Sequence, residues 1–263
     1  MSSQVVEVDP VSAQLKLADG TTITGDVILG ADGVHSITRK YIPGADVKPF
    51  SSGKSAFRFL VSKQAVLDDP VTASLVQEPG KLCIWYGIDR RVVMYPTSNN
   101  TILNFVCIHP ESESESDSSS GWSKAGNVDK MLKVYQNFDP ILLQLLGKAD
   151  PQSVGVWTLL DMQVIPSWTA DRLALLGDAA HPFLPHQGQG AGVAIEDAAA
   201  LAVVLPFGIT VDNVPDRLKL YQDIRKERAD RIQQFSRIAG EDRTQEEKPD
   251  SKCGLCIRFH SYM

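Results

Sequence analysis

The stretch Arg172 to Leu205, RLALLGDAAHPFLPHQGQGAGVAIEDAAALAVVL, constrains the fold of this chain more than any other. Leu173 to Leu176 is a short apolar run that turns at Gly177 and Asp178, the pattern of a buried strand ending in a loop. Gly188, Gly190 and Gly192 then open a segment in which Ala191, Ala194, Ile195, Ala198, Leu201, Ala202 and Leu205 recur at helical spacing, and Pro206 ends it. A glycine-rich loop entering a helix presents unpaired N–H groups and the positive end of the helix dipole, which suits a phosphate or another electron-rich group. Taken alone, the three glycines are better explained as a helix–strand packing turn.

Composition narrows the class. The 263 residues suffice for one large domain or two. An apolar content of 43% with 22% charged residues is that of an ordinary soluble chain. A net charge of -6, with no basic run interleaved with aromatics, gives no reason to expect nucleic acid or an anionic membrane as partner. The start MSSQVVEVDPVS lacks the marks of a signal or transit peptide, and the longest apolar run is too short to span a bilayer, so a cytoplasmic location is expected. Cys83, Cys107, Cys253 and Cys256 do not make a disulfide framework. Cys253-x-x-Cys256 has no second ligand cluster, so no metal site is expected and a frayed tail is the better reading.

In chain order, Val5–Val8, Gln14–Leu17 and Thr21–Leu29 read as a small antiparallel meander, with Asp19-Gly20 as a hairpin turn. Its last strand, Asp26 to Leu29, delivers Gly30-Ala31-Asp32-Gly33 to its C-terminal end, where open α/β sheets bind ligands, and a helix is expected to begin near His35–Arg39. A plain strand-to-helix turn explains this element alone equally well. Between Phe50 and Pro110, the runs Ala56–Val61, Lys81–Tyr86, Val92–Tyr95 and Thr101–Ile108 predict an antiparallel layer. Arg58, Trp85, Tyr86 and Tyr95 are candidates there for facing a ligand, with cross-strand packing as the stronger alternative. Residues 111–121, ESESESDSSSG, read as a disordered acidic loop. Helices are expected over Val128–Leu146, with a break at Asp139-Pro140, and over Asp216–Ile238, on a stripe of Leu218, Tyr221, Ile224, Ile232 and Phe235.

Two stretches together resemble one family. GDVILGADGVHSITRK and RLALLGDAAHPFLPHQGQGAGVAIEDAAALA, in this order around a β-rich insertion, are similar to the Asp-Gly and Gly-Asp segments of the FAD-dependent aromatic hydroxylases, the salicylate-hydroxylase-like flavoprotein monooxygenases. Tyr95-Pro96 and the Trp168 lead-in resemble the family too, and the likeness covers roughly Val5 to Gly240. It implies an α/β fold with α+β character: a partial FAD-binding domain of the aromatic-hydroxylase type with an inserted antiparallel β-sheet substrate layer. The expected division is 1–48 for part of the FAD-binding domain, 49–165 for the β-rich substrate domain, 166–240 for the return to the FAD-binding domain, and 241–263 for a disordered tail.

By that resemblance the cofactor is FAD and the electron donor NAD(P)H. Gly177 and Asp178 would lie at the flavin, with the Asp178 carboxylate accepting from the ribityl chain. Pro185 would line the flavin beside the substrate, and the backbone of Gly190, Ala191 and Gly192 would approach the pyrimidine end of its ring, where a helix N-terminus favours negative charge. Asp32, Gly33 and Arg39 would belong to the second FAD-associated motif, and Arg58 and Tyr95 are candidates for contact with a small aromatic or similar substrate. The implied reaction is transfer of one oxygen atom from O2 to that substrate. The cofactor performs the chemistry, so no catalytic triad is expected, and no side chain is assigned a catalytic role. The sequence departs from the family pattern by having no G-x-G-x-x-G turn for the ADP half of FAD. Loss of neighbouring strands is therefore expected to leave Leu173–Leu176 with an open edge. The competing expectation is a truncated, inactive fragment that acts at most as a small-molecule binding protein. Substrate identity, NADH against NADPH, and oligomeric state are not legible in the sequence.

Overall fold

The computed structural model describes residues 3–114, 123–242 and 255–258. In chain order its strands are β1 (Val5–Asp9), β2 (Gln14–Leu17), β3 (Thr22–Thr24), β4 (Ile28–Gly30), β5 (Phe50–Ser62), β6 (Lys81–Tyr86), β7 (Arg91–Thr97), β8 (Ile102–Pro110), β9 (Ser123–Ala125), β10 (Gly155–Asp161), β11 (Thr169–Ala170), β12 (Leu173–Leu175) and β13 (Leu255–Arg258). The α-helices are α1 (Lys63–Leu67), α2 (Val128–Val134), α3 (Pro140–Leu146), α4 (Gly190–Val204) and α5 (Val214–Gly240). This is a mixed helix and sheet fold. It separates into two compact units, Met1–Phe50 with Leu160–Gly240, and Ser51–Leu159 with Glu241–Met263.

The first unit holds two three-stranded sheets. One is the antiparallel meander β1-β2-β3. Its Asp19-Gly20 turn forms as the sequence dictates: Gly20 takes φ +88°, and the Thr21 N–H donates to Asp19 Oδ1 at 2.9 Å. The expected last strand of the meander is not part of it. The chain breaks at Gly25-Asp26, and β4 pairs in parallel with β12, Ile28 opposite Leu173 and Gly30 opposite Leu175. Nor does Leu173–Leu176 carry an open edge. The β12 strand lies between β11 and β4, because Thr169-Ala170 folds back on it as an antiparallel neighbour, and β4 ends the sheet.

Both long helices bury a different stripe from the one their apolar residues predict. In α4 the buried line is Val193, Asp197, Leu201 and Val204, while Ile195 is 70% exposed. Apart from Glu196 and Asp197, α4 is apolar or glycine on every side, so apolar spacing cannot orient it; a buried carboxylate with partners does. In α5, Leu218 and Tyr221 are buried as expected, but the line continues through Arg225, Ala229, Gln233 and Ser236 and leaves Ile224 and Phe235 exposed. The polar members are held. Gln233 Nε2 donates to the carbonyls of Met162 and Pro182, and Arg225 Nε to Asp197.

The second unit is built on one sheet in the order β13-β6-β7-β8-β5-β10-β9. On one face Phe57, Phe59, Phe105, Met94 and Cys83 join Met131, Tyr135, Leu142 and Leu146 of the α2–α3 region in a dry core. The break between these helices is where Asp139-Pro140 puts it: the Asp139 carboxylate accepts the Ile141 N–H at 2.8 Å, and Pro140 opens α3. Two tail and loop expectations change. Leu255–Arg258 pairs with β6 as an edge strand, because the unpaired backbone groups of β6 accept one. Glu111–Glu113 forms a turn fixed by ion pairing of Glu113 with Arg90 and a Glu111–Thr158 hydrogen bond, while residues 115–122 of the acidic run, and Cys253, lie outside the described residues. Among the described residues no helix is long and apolar enough to cross a membrane, and no cluster of His, Cys, Asp or Glu has a metal-holding arrangement.

Candidate functional site

Flanked by a strand on each side, β12 ends at Leu175 and the chain turns at Gly177, whose φ of +57° is a conformation glycine adopts without strain. The turn sets Asp178 at the C-terminal end of a parallel strand pair. Its carboxylate accepts no hydrogen bond among the described residues. Though Asp178 is open to solvent on one side, burial by the protein on the other raises its pKa above the ordinary carboxylate value, against a smaller opposing pull from His181.

The loop that follows is held from beneath. His181 is buried, stacked on Phe183 at 4.9 Å and tilted against Trp168 at 4.9 Å, and its Nε2 meets Asp197 Oδ2 at 2.6 Å. Asp197 has no exposed surface. It also accepts the Gly177 N–H at 3.0 Å and Arg225 Nε at 3.0 Å. Burial pushes the Asp197 pKa up, but His181, Gly177 and Arg225 together outweigh that and hold it below the ordinary range. Pro185 begins an exposed turn, Gly188 takes φ +63°, and Gly190, Ala191 and Gly192 form the first turn of α4, which has no capping side chain. A Cβ on Gly192 would meet nothing within 4 Å, and one on Gly190 only Phe183 at 3.9 Å. These two glycines are therefore not required by packing inside the unit. They leave backbone N–H groups open in front of the helix.

The second motif reaches the same place from β4. Asp32 caps the turn that follows it, accepting the N–H groups of Ile37 at 2.8 Å and Thr38 at 3.1 Å and the Thr38 hydroxyl at 2.8 Å. Burial raises its pKa, yet donors from Ser36, Thr38 and Ile37 bring it below the ordinary value. Gly33 takes φ +79°. In place of the expected helix there is one short turn, Thr38–Tyr41. Arg39 within it is 2% exposed. Its Nε donates to the Ala179 carbonyl at 2.8 Å, and an NH2 group donates to Val34 at 3.0 Å and Asp178 at 3.2 Å. Arg39 thus fastens one motif to the other through backbone atoms.

Arg58 and Tyr95 lie in the second unit, on the sheet face opposite its core. Arg58 pairs across β8 with Val106, and Tyr95 with Asn104. The Arg58 guanidinium lies over the Trp157 ring at 5.5 Å. Trp85, by contrast, sits opposite buried Val92 and packs against the core, and Tyr86 carries the Arg91 guanidinium over its ring.

The residues that the sequence reading missed are His181, Asp197 and Arg225. A signal for them exists: Asp197 falls four residues after Val193 and four before Leu201, a carboxylate on a line of otherwise large apolar residues in an alanine-rich helix.

Comparison with known proteins gives a consistent relation. Residues 3–236 match the FAD binding domain family. The chain is 36% identical over 234 residues to the FAD-dependent monooxygenase atnJ of Arthrinium sp, covering 89% of this chain and 54% of that protein. It is 32% identical to the hispidin-3-hydroxylase of Neonothopanus nambi, covering 88% and 56%. It superposes on a salicylate hydroxylase substrate complex with a TM-score of 0.78 at 30% identity, covering 94% of this chain and 62% of that one. The chain spans about half the length of the curated relatives it matches, 54% of atnJ.

Proposed function

The chain belongs to the FAD binding domain family of aromatic-hydroxylase-like flavoproteins, and from that membership we propose that it serves an FAD-dependent monooxygenase, inserting one oxygen atom from O2 into an aromatic or similar small molecule with electrons from NAD(P)H. The observation that carries the proposal is Asp178, whose carboxylate accepts no hydrogen bond among the described residues, just beyond the end of β12 and beside the open first turn of α4.

Those residues fit a flavin. Asp178 accepts a ribityl hydroxyl, and the N–H groups of Gly190, Ala191 and Gly192 receive the electron-rich pyrimidine end of the ring. Pro185 lines the flavin, while Asp32 and Gly33 shape the loop that meets it. The cofactor supplies oxygen activation and electron transfer. This chain binds, orients and excludes water. Within the first unit these residues are the flavin-holding part; Arg58 and Tyr95, on the second unit's sheet, are assigned to substrate contact. Arg58 suits an anionic or phenolic ring, in keeping with the hispidin and salicylate hydroxylases among the relatives. A cytoplasmic setting agrees with this chemistry.

Titration of the 263-residue chain with FAD, read by quenching of flavin fluorescence, tests the reading. Binding that weakens by about tenfold or more in Asp178→Ala is the expected result, since the lost acceptor is a charged one. A wild-type chain that quenches no flavin, and supports no FAD-dependent NAD(P)H oxidation, refutes it in favour of a binding role without turnover.

A further inference from the structure

The Gly177–Asp178–Ala179 turn is gripped at its two polar ends by buried side chains of opposite charge. On the carbonyl side stands the Arg39 guanidinium, donating to Ala179 O at 2.8 Å and Asp178 O at 3.2 Å. On the N–H side stands the Asp197 carboxylate, accepting from Gly177 at 3.0 Å. Their exposures are 2% and 0%.

The two charges are supported unequally. Asp197 has a cation of its own, Arg225, which also pairs with Glu196 at 2.7 Å. Arg39 has no carboxylate within ion-pairing distance among the described residues, and only carbonyl oxygens of Gly33, Val34, Val47, Asp178 and Ala179 receive its protons. A buried guanidinium hydrogen-bonded only to carbonyls, with Asp32 favouring its charge from further off, is costly, and well-packed apolar side chains often serve stability better than buried charge. What an apolar side chain cannot do is hold carbonyls of two separate loops in fixed directions. A planar fork of five donors can, and a lysine ammonium cannot.

We propose that Arg39 and Asp197 are a pair of positioning residues: acting on the backbone alone, they fix the turn that aims Asp178 at the ribityl part of the cofactor, without either touching that cofactor. This rests on Asp178 being the ribityl acceptor. It removes Arg39 from the ligand contacts and brings Asp197 into the binding machinery.

The test compares riboflavin with FAD as probes, because both contain the ribityl chain and only FAD contains phosphate. Binding to the full chain is read by fluorescence quenching for Arg39→Lys, Asp197→Ala and Asp197→Asn, with circular dichroism to verify folding. The clamp requires Arg39→Lys and Asp197→Ala to weaken both flavins by the same factor, about tenfold or more. Asp197→Asn, which keeps an oxygen for the Gly177 N–H, recovers part of that loss. Arg39→Lys weakening FAD alone shows a direct phosphate contact and overturns the proposal, as do unchanged affinities for both flavins. Amide hydrogen exchange of the flavin-free chain separates this from the functional reading. If the wild-type chain binds neither flavin, the Asp178 reading fails by itself. Exchange at Gly177–Ala180 then decides the clamp: about tenfold faster in both Arg39→Lys and Asp197→Ala supports it, and unchanged rates overturn it.

Discussion

Gly30 of β4 faces Leu175 of β12 across a parallel strand pair so closely that a Cβ on Gly30 would stand 2.8 Å from Leu175 Cδ2 and fall on the Thr38 hydroxyl. Leu175 is fully buried, and Thr38 is engaged with Asp32, so neither can retreat freely. Gly30→Ala is expected to destabilise the chain by about 1–3 kcal/mol through overpacking. Since Thr38 must shift, the Asp32 cap loosens and flavin affinity falls with stability. Thermal unfolding checks the first effect and flavin titration the second. A variant that melts with the wild type would mean that the two strands sit further apart than described.

Arg58 and Trp157 make the prediction for the substrate side. Arg58 is exposed, and its guanidinium is steadied by the Trp157 ring 5.5 Å away. Arg58→Gln keeps some hydrogen bonding but removes the charge. Under the proposed function, binding of a phenolic carboxylate probe such as salicylate is expected to weaken about tenfold, with FAD affinity unaltered. Trp157→Leu frees the arginine without removing it, and a smaller loss of roughly two- to fivefold is expected from the cation–π contribution. Equal salicylate affinity in wild type and Arg58→Gln would remove Arg58 from the substrate contacts.

Much of this architecture was legible from residue types acting locally. Asp19-Gly20 forces a hairpin, Asp139-Pro140 caps and opens α3, and the uninterrupted Leu173–Leu176 run demands burial on both faces. What stayed hidden depends on partners distant in the chain. Nothing near Asp26–Leu29 announces parallel pairing with a strand more than a hundred residues on, because a hairpin reading extends only to neighbours. The orientation of α4 and α5 was hidden for a related reason. Counting apolar residues treats Asp197, Arg225 and Gln233 as marks of a solvent face, whereas each is buried because the others, or a loop carbonyl, satisfy it. The sequence also does not show that Arg39 donates to backbone carbonyls of both motifs, because those carbonyls lie in segments far apart in the chain.

Tyr221 ties α5 to the site strand by a single bond, its hydroxyl donating to the Leu175 carbonyl at 3.0 Å with no exposed surface around it. Tyr221→Phe preserves the ring packing against Trp168 and leaves that carbonyl without this donor. A loss of about 1 kcal/mol is expected, read as a lower urea midpoint with an unchanged slope. A larger loss with a changed slope would point instead to α5 detaching from the sheet.

His109 provides a stability prediction tied to pH. It is fully buried on β8, stacked on Phe57 at 4.4 Å, and its ring Nδ1 lies 3.1 Å from the Cys107 carbonyl. Nε2 has no hydrogen-bond partner among the described residues, so a second ring proton would be buried with nothing to accept it. Burial lowers the pKa from 6.5 to about 4, against a smaller raising effect of the Cys107 carbonyl. Between those values the unfolded chain binds a proton that the folded chain refuses, so this group's contribution is complete above pH 6.5 and is lost as pH falls toward 4. The full loss is at most about 3 kcal/mol. His109→Phe keeps the stack and removes the titration. It is expected to lie within about 1–2 kcal/mol of the wild type at pH 7, through the lost bond to Cys107, and to show a shallower decline in urea stability between pH 7 and pH 4. The carboxylates and the remaining histidines titrate in both proteins and cancel in the comparison. Parallel stability curves for the two would show that His109 is protonated in the folded chain as readily as in the unfolded one.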